Sequence, residues 1–81
     1  MKVRVCFYSY FRELTGTTDI DEEVIEGETL GELVKRLQQK FPKLKAMERS
    51  TLMAVGVEYQ TQDYTLHEGD EVSLFPPVQG G

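Results

Sequence analysis

Hydrophobic and polar residues alternate in two short stretches, one near each end of the chain. The apolar positions of the first stretch, residues 2–8, are Val3, Val5 and Phe7. Those of the second stretch, residues 71–75, are Val72 and Leu74, with Ser73 and Phe75 on the opposite side. A repeat of two is typical of a strand that buries one face. The pattern therefore predicts a strand at each end of the domain.

One strong helical pattern lies between these strands. Thr29 and Glu32 have the spacing of a capping box, in which each side chain bonds to the backbone of the other residue. The apolar positions that follow at helical spacing are Leu30, Leu33, Val34, Leu37 and Phe41. Pro42 ends the pattern, because proline disfavours a helical conformation in the residue before it. The stripe predicts an amphipathic helix that covers a sheet.

Weaker signals precede the long helix. Ser9 is predicted to cap a short helix over residues 10–14, which ends at Gly16. Residues 20–25 predict a second strand. Its acidic run, Asp21–Glu23, indicates a sheet edge, where charge discourages pairing with other molecules.

The stretch after the long helix predicts further strands. Residues 43–50 form a connector with one helical turn, and residues 52–57 form a third strand. Gly56 tolerates the positive φ of a tight turn, and Glu58 and Tyr59 follow on the return strand.

The order of these elements predicts an α+β fold in two layers, with one main crossover helix and short extra helices on a mixed sheet. A β-grasp arrangement fits this order, with the first and last strands adjacent and parallel. We expect one domain over residues 1–75 and a flexible tail over residues 76–81.

Composition narrows the possible functions. The chain has 81 residues and a net charge of −5, which argues against binding to nucleic acid. The acidity suits either solubility alone or docking on a basic protein partner. The sequence has no apolar run long enough to span a bilayer and no signal-peptide pattern at its start, so we expect no membrane association and a cytoplasmic location.

The candidate catalytic side chains are few. The single cysteine, Cys6, lies in mid-strand with nothing nearby in sequence to lower its pKa, and we interpret it as a small structural residue. The single histidine, His67, is interpreted as a solvated turn residue. The acidic groups at residues 21–23 and 68–71 lack the spacing of a calcium loop and are interpreted as solvated edges. We therefore predict no metal site and no bound cofactor.

The tail carries the remaining chemistry. Pro76 and Pro77 end the last strand and favour an extended segment. Gly80 and Gly81 have no side chains, so the end of the chain is narrow. The six residues of the tail reach at most roughly 20 Å. The Gly81 carboxylate is a poor electrophile, so it becomes reactive only after activation by a partner that binds ATP. The alternative is an inert, disordered end.

A docking face is predicted beside the tail. Tyr8 and Phe75 both point away from the predicted core on strands that we place next to each other, and Tyr59 extends the patch. Exposed aromatic residues on adjacent strands are typical of an interface. The alternative is partial burial of these rings under loops.

These residues together resemble a known family. The ending of residues 69–81, with its Pro-Pro-Val-x-Gly-Gly signature, is similar to that of the small subunit of molybdopterin synthase, a ubiquitin-related sulfur carrier. Phe7, residues 11–16 and residues 52–59 resemble the family's first strand, short helix and middle hairpin. Gly56 stands where the family usually has Asn, and both tolerate positive φ.

The resemblance implies a ubiquitin-like β-grasp fold and a function. An adenylating enzyme like the one that activates ubiquitin would use ATP and Mg²⁺ to adenylate Gly81. A sulfur donor, such as a cysteine desulfurase or a rhodanese-like protein, would then convert Gly81 to a thiocarboxylate. The sulfur would pass to cyclic pyranopterin monophosphate and form the molybdopterin dithiolene in molybdenum cofactor biosynthesis.

The resemblance also implies partners and roles for single residues. The chain would be the sulfur-donating subunit of a heterotetrameric sulfurtransferase whose catalytic side chains belong to the large subunit. Gly80 would give the tail access to that subunit. The residues expected to contact it are Tyr8, Tyr59, Phe75, Pro76, Pro77, Val78 and Gln79. Alternatives are a sulfur carrier for thiamin or tRNA thiolation, a modifier that forms isopeptides, and a β-grasp interaction module with an inert tail.

Overall fold

A five-stranded mixed sheet forms one layer of the structure, a computed structural model that describes residues 1–47 and 51–76. Its strands are β1 (Lys2–Phe7), β2 (Asp19–Glu23), β3 (Leu52–Val55), β4 (Glu58–Tyr59) and β5 (Glu71–Phe75). The helices are α1 (Phe11–Thr15), α2 (Leu30–Lys40) and a 3₁₀ helix (Pro42–Met47). The strand order across the sheet is β2-β1-β5-β3-β4.

The first and last strands lie side by side at the centre of the sheet. They run parallel, with Cys6 opposite Ser73 and Phe7 opposite Leu74. The other strand pairs are antiparallel. Parallel neighbours need a crossover connection, and the chain between them contains α2. The predicted β-grasp arrangement is confirmed.

Helix α2 covers the inner face of the sheet. Its Leu30, Leu33 and Leu37 are fully buried, as the apolar stripe predicts. The sheet and the segments around it supply the other large buried side chains of this core: Val3, Val5, Phe7, Phe11, Leu66, Val72 and Leu74. The core therefore lies on the inner face of the sheet, with α2 as its main cover and with Phe11 of α1 and Leu44 of the 3₁₀ helix also part of it.

The start of α2 is fixed by several hydrogen bonds. The Glu32 amide donates to Thr29 Oγ1 at 3.2 Å, and the Thr29 amide donates to Glu32 Oε1 at 2.9 Å, so the predicted capping box is confirmed. The Gly31 amide donates to the Gln62 carbonyl at 3.0 Å. A Cβ atom on Gly31 would lie 2.9 Å from Gln62 Cβ, so this close approach requires glycine.

The prediction for the start of α1 was wrong. Ser9 has φ 56°, and the N-cap is Tyr10, which makes no side-chain capping bond. The chain turns sharply after β1, and this turn forces Ser9 into the left-handed region, where it cannot act as the cap. Gly16, with φ 76°, ends α1 as predicted.

The other boundaries differ by a few residues. Strand β2 begins and ends earlier than predicted, and it lies at the sheet edge that its acidic run indicated. Strand β3 ends at Val55, because Gly56 and Val57 form the turn to β4. The connector after α2 is helical from Pro42 to Met47, more than the single turn predicted.

One part of the acidic run is not a solvated edge. Glu22 is buried and accepts from Lys40 Nζ at 2.6 Å and from Arg36 Nη2 at 3.4 Å. Arg36 Nη1 also donates to the buried carboxylate of Glu28 at 2.6 Å. The prediction was wrong for Glu22 because its cationic partners lie on α2, far away in the sequence. We call these four residues the α2 clamp.

The predicted division into a domain and a tail stays a prediction, because only Pro76 of the tail is among the described residues. In the described part of the chain, every helix is too short or too polar to cross a membrane.

Candidate docking site

Two aromatic rings stack on the outer face of the sheet, which α2 does not cover. The Tyr8 amide donates to the Leu74 carbonyl at 3.1 Å, which extends the β1–β5 pairing by one residue. Tyr8 therefore lies directly beside Phe75. The two ring centroids are 4.7 Å apart and the planes meet at 14°. Offset stacking of this kind adds to the stability that burial alone provides.

Tyr59 completes this group of rings. It lies opposite Ala54 in the β3–β4 pair, and its ring meets that of Phe75 edge to face at 6.4 Å. Tyr59 is 72% exposed, so most of its surface is open to a partner. We call Tyr8, Tyr59 and Phe75 the aromatic patch. The structure brings together all three residues that the alternation of the strands placed on this face.

Arg12, on α1, contacts the Tyr8 ring of the aromatic patch. Its Nε donates to the Phe7 carbonyl at 3.1 Å, and its guanidinium lies 5.8 Å from the centroid of the Tyr8 ring. A guanidinium over a tyrosine face is a favourable cation–π contact. Sequence reasoning missed Arg12. The available signal was its position four residues after Tyr8, across the turn into α1.

Two apolar residues beside the patch were also missed. Val57 is 100% exposed at the tip of the β3–β4 turn, next to Gly56 with φ 62°. Leu52 is exposed and lies opposite Phe75. Strand alternation cannot identify Val57 because it lies in the turn. An apolar residue at the tip of a hairpin was the only signal.

A shallow groove of about 270 Å³ runs along this surface. Its lining combines the aromatic patch with small residues of the central strands and one carboxylate: Tyr8, Ala54, Gly56, Val57, Tyr59, Glu71, Ser73 and Phe75. Aromatic side chains beside a few polar groups are typical of a recognition surface.

The far end of the outer face is charged. Arg4 Nη1 lies 3.2 Å from Asp19 Oδ2, and Arg4 Nε lies 3.6 Å from Asp21 Oδ1. Glu71 lies opposite Arg4 in the β1–β5 register. The outer face is thus apolar where β5 ends and mostly acidic where β5 begins.

Cys6 lies between these two ends, and its surroundings suppress its reactivity. Burial raises the pKa of the Cys6 thiol, and the nearby carboxylates of Glu71 and Asp19 raise it further, against the opposing effect of Arg4. A thiol is nucleophilic only as the thiolate. The interpretation of Cys6 as a structural residue is therefore consistent with its environment.

His67 lies in a turn that a carboxylate organises. The Tyr64 hydroxyl donates to Asp70 Oδ2 at 3.0 Å, and burial together with this bond raises the pKa of Tyr64. The His67 amide also donates to Asp70 Oδ2, at 2.8 Å, and the His67 side chain is 69% exposed. In the described part of the chain, no group of three His, Cys, Asp or Glu side chains is placed to hold a metal ion.

The tail begins at the aromatic patch. Phe75 is the last residue of β5, and Pro76 follows it, half-buried. The other predicted tail residues, Pro77, Val78, Gln79, Gly80 and Gly81, lie outside the described residues. Their roles, and those of the patch residues in binding a partner, stay predictions.

The fold and its open aromatic face define the class of protein. A mixed sheet of order β2-β1-β5-β3-β4 under a single long helix is the ubiquitin-like β-grasp. The model of the ThiS family matches residues 5–81, which include the tail. The chain belongs to the ThiS family.

Two proteins similar to this chain carry names with different functions. A Mycobacterium tuberculosis protein named molybdopterin synthase sulfur carrier subunit is 38% identical over 82 residues, covering 100% of this chain and 99% of the relative. A Haloferax volcanii protein named small archaeal modifier protein 3 is 28% identical over 92 residues, covering 100% of both.

Two solved structures resemble the whole chain. One, from Pyrococcus furiosus, is assigned as subunit 1 of a molybdopterin converting factor. It has a TM-score of 0.88 at 30% identity and covers 96% of this chain and 99% of its own. The other is a complex of subunits 1 and 2 of the molybdopterin-converting factor from Helicobacter pylori. Its matching chain has a TM-score of 0.71 at 26% identity, with 100% of both chains covered.

Proposed function

We propose that this chain is the sulfur carrier subunit of a molybdopterin synthase. In this proposal Gly81 carries sulfur as a thiocarboxylate, and two such chains each deliver one sulfur atom to cyclic pyranopterin monophosphate to form the dithiolene of molybdopterin. The observation that carries the proposal is the family match through residue 81, which includes the tail that begins directly at the aromatic patch.

The chemistry of the tail requires activation before transfer. Adenylation joins the Gly81 carboxylate to the α-phosphate of ATP and releases pyrophosphate. The outer sulfur of a donor persulfide then displaces AMP from the acyl carbon and forms an acyl disulfide. A thiol reductant cleaves the S–S bond, becomes oxidised to a disulfide with the donor thiol, and leaves the thiocarboxylate on Gly81. Sulfur is a better nucleophile than the oxygen that it replaces, which is why the conversion makes the tail a sulfur donor. ATP and Mg²⁺ are bound by the activating enzyme in this scheme, and this chain supplies only the acyl group.

The aromatic patch supports a large-subunit partner. Its three rings contact one another and keep part of their surface open, and aromatic residues are among the side chains that dominate interface energies. Phe75 and Pro76 are consecutive, so a partner that covers the patch also receives the first residue of the tail. The Helicobacter pylori relative was solved as a complex with its subunit 2, which supports the same arrangement here.

The proposal also assigns catalysis and sulfur donation to other proteins. Catalytic side chains belong to the large subunit, and the sulfur donor is a cysteine desulfurase or a rhodanese-like protein. Cys6 takes no part, because burial and two carboxylates keep its thiol protonated near neutral pH. The narrow end formed by Gly80 and Gly81 allows the acyl carbon to enter a confined site.

Intact-mass spectrometry tests the proposal. The purified chain is incubated with the adenylating enzyme of the same organism, ATP, Mg²⁺ and sulfide. We expect a mass gain equal to the replacement of one oxygen by sulfur, located in the peptide that ends at Gly81. A chain lacking Gly81 is the matched control and should keep its mass. An unchanged mass of the full-length chain would contradict every carrier role.

A second function, protein modification, is favoured by the relative named small archaeal modifier protein 3. It shares the adenylation step but ends with an isopeptide bond to a lysine of a target protein. Incubation of the adenylated chain with a lysate distinguishes the two, since a modifier produces a ladder of conjugates. A sulfur carrier alone produces the thiocarboxylate and no ladder.

A further inference from the structure

The groove on the outer face has a defined floor, walls and end. Its floor is formed by Ala54 and Ser73, which lie opposite each other in the β3–β5 pair. The aromatic patch and Val57 form the walls. Glu71 lies at the end of the groove that is farther from the tail, four residues before Phe75 on the same face of β5.

Glu71 lies in the groove and has no ion-pair partner in the described part of the chain. The residue is exposed to solvent. Arg4, its neighbour in the β1–β5 register, is already engaged by Asp19 at 3.2 Å and by Asp21 at 3.6 Å. The carboxylate of Glu71 is therefore available to a cation from outside the chain.

The surroundings of Glu71 add to its negative potential. The strand alternation places four carboxylates on this end of the outer face, Asp19, Asp21, Glu23 and Glu71. It places two cations there, Lys2 and Arg4, so the excess is two negative charges. A second copy of this chain would bring like charges together and is disfavoured as the occupant. A basic partner is favoured.

We propose that the groove receives an arginine side chain of the partner that docks on the aromatic patch, with its guanidinium paired to Glu71. This inference rests on the proposed function, since it names a requirement on the large subunit. The planar guanidinium binds a carboxylate through two parallel hydrogen bonds and stacks on aromatic rings, whereas the lysine ammonium is a point charge. Aromatic walls with a carboxylate at the end suit the guanidinium better.

The geometry fixes where the arginine lies on the partner. Four residues of strand separate Glu71 from Phe75, which corresponds to about 13 Å. The partner must therefore present an apolar pocket for the Phe75 ring and an arginine about 13 Å away along the direction of β5. Glu71 acts as a specificity determinant in this arrangement, because a partner without the cation leaves the carboxylate covered and unpaired.

Binding to the large subunit from the same organism tests the charge requirement. Calorimetry at low and high salt compares the wild type with Glu71→Gln, Glu71→Lys and the control Glu26→Lys. Glu26 is exposed in the loop after β2, so its reversal changes the net charge equally without touching the groove. We expect affinity losses of about 10-fold for Glu71→Gln and about 100-fold for Glu71→Lys, and about 2-fold or less for Glu26→Lys.

Arginine-directed labelling tests the identity of the cation. The large subunit is treated with phenylglyoxal alone, with the wild-type chain and with Glu71→Gln at saturating concentration. We expect one arginine to be protected by the wild type and exposed again with Glu71→Gln. Protection of a lysine from acetic anhydride in its place, or protection that is independent of Glu71, would overturn the inference.

The outcomes separate this inference from the proposed function. If the wild type binds the large subunit and Glu71→Lys binds equally well, only the arginine inference fails. If the wild type does not bind the large subunit at all, the proposed function fails and the inference fails with it.

Discussion

Phe7 and Tyr8 are neighbours in the chain, yet they lie on opposite faces of the sheet. Phe7 is 1% exposed, and its ring meets that of Phe41 edge to face at 5.7 Å in the core. Tyr8 stacks on Phe75 on the outer face. On the adjacent strand β5, Leu74 is buried on the inner face and Phe75 lies on the outer face. The same two strands thus supply buried apolar side chains on one side and an open aromatic cluster on the other.

The difference between the faces lies in what covers them. Helix α2 packs on the inner face with three buried leucines, so the apolar side chains there contribute to folding. No described helix covers the aromatic patch, so its rings contact one another but keep part of their surface in water. A large apolar surface that folding leaves open is available for binding. We infer that the inner face determines stability and the outer face determines recognition.

Alanine substitutions of the two neighbouring rings test this division most strongly. Phe7→Ala removes a fully buried ring and should lower the free energy of unfolding by about 4 kcal/mol, while Tyr8→Ala should cost about 1 kcal/mol. Urea unfolding followed by circular dichroism measures both values. Phe7→Leu serves as a milder variant if Phe7→Ala does not fold. Equal losses of unfolding free energy in Phe7→Ala and Tyr8→Ala would contradict the inference that the inner face determines stability.

Loss of the α2 clamp should affect stability and leave binding unchanged. Arg36→Met leaves the carboxylates of Glu22 and Glu28, which are 11% and 7% exposed, without their shared cation. Because Arg36 itself is 40% exposed, we expect a loss of about 1–2 kcal/mol in unfolding free energy. Lys35→Met, on the same helix and with no ion pair among the described residues, is the matched control. A change in large-subunit affinity would contradict the separation of the faces.

A positioning role for Arg12 can be measured on the outer face. Arg12→Met keeps the length of the side chain but removes the charge over the Tyr8 ring and the bond to the Phe7 carbonyl. We expect the affinity for the large subunit to fall about 5-fold, with Tyr8 losing its fixed orientation. Ring chemical shifts of Tyr8 and Phe75 should change in the free protein. A loss of affinity without any change in these shifts would argue for direct contact of Arg12 with the partner.

The smallest expected effect concerns Cys6. Because burial and the carboxylates of Glu71 and Asp19 raise its pKa, the thiol should react with iodoacetamide only at a higher pH than an unstructured cysteine. The unfolded chain loses this proton at a lower pH than the folded chain. Stability should therefore decrease as the pH rises above the ordinary cysteine pKa, and level off above the folded one. Cys6→Ser should abolish this contribution, and a reactivity midpoint at or below that of free cysteine would contradict it.

The parts of the fold that sequence patterns predicted are those whose signals are local. The capping box of Thr29 and Glu32 and the alternation in β1 and β5 each lie within a few residues of sequence. The pairing of Tyr8 with Phe75 followed from alternation together with the assumption that β1 and β5 are neighbours, which the register confirms.

The features that were missed depend on distant partners or on backbone geometry. The prediction that Glu22 is solvated was wrong because its partners, Arg36 and Lys40, come close to it only when α2 packs on the sheet. Ser9 has the composition of a helix cap, but the turn after β1 places it at positive φ. Val57 lines the groove from the β3–β4 turn, a position that no periodicity encodes.

Sulfur transfer from a preformed thiocarboxylate tests the central claim most directly. The wild-type chain and Phe75→Asp are both prepared with a thiocarboxylate at Gly81 and mixed with the large subunit and cyclic pyranopterin monophosphate in a single turnover. A buried interface ring replaced by a charge should cost on the order of 100-fold or more in affinity. We expect the wild type to lose its sulfur as the dithiolene forms, while Phe75→Asp folds normally and keeps its sulfur. Transfer from Phe75→Asp at the wild-type rate would contradict it.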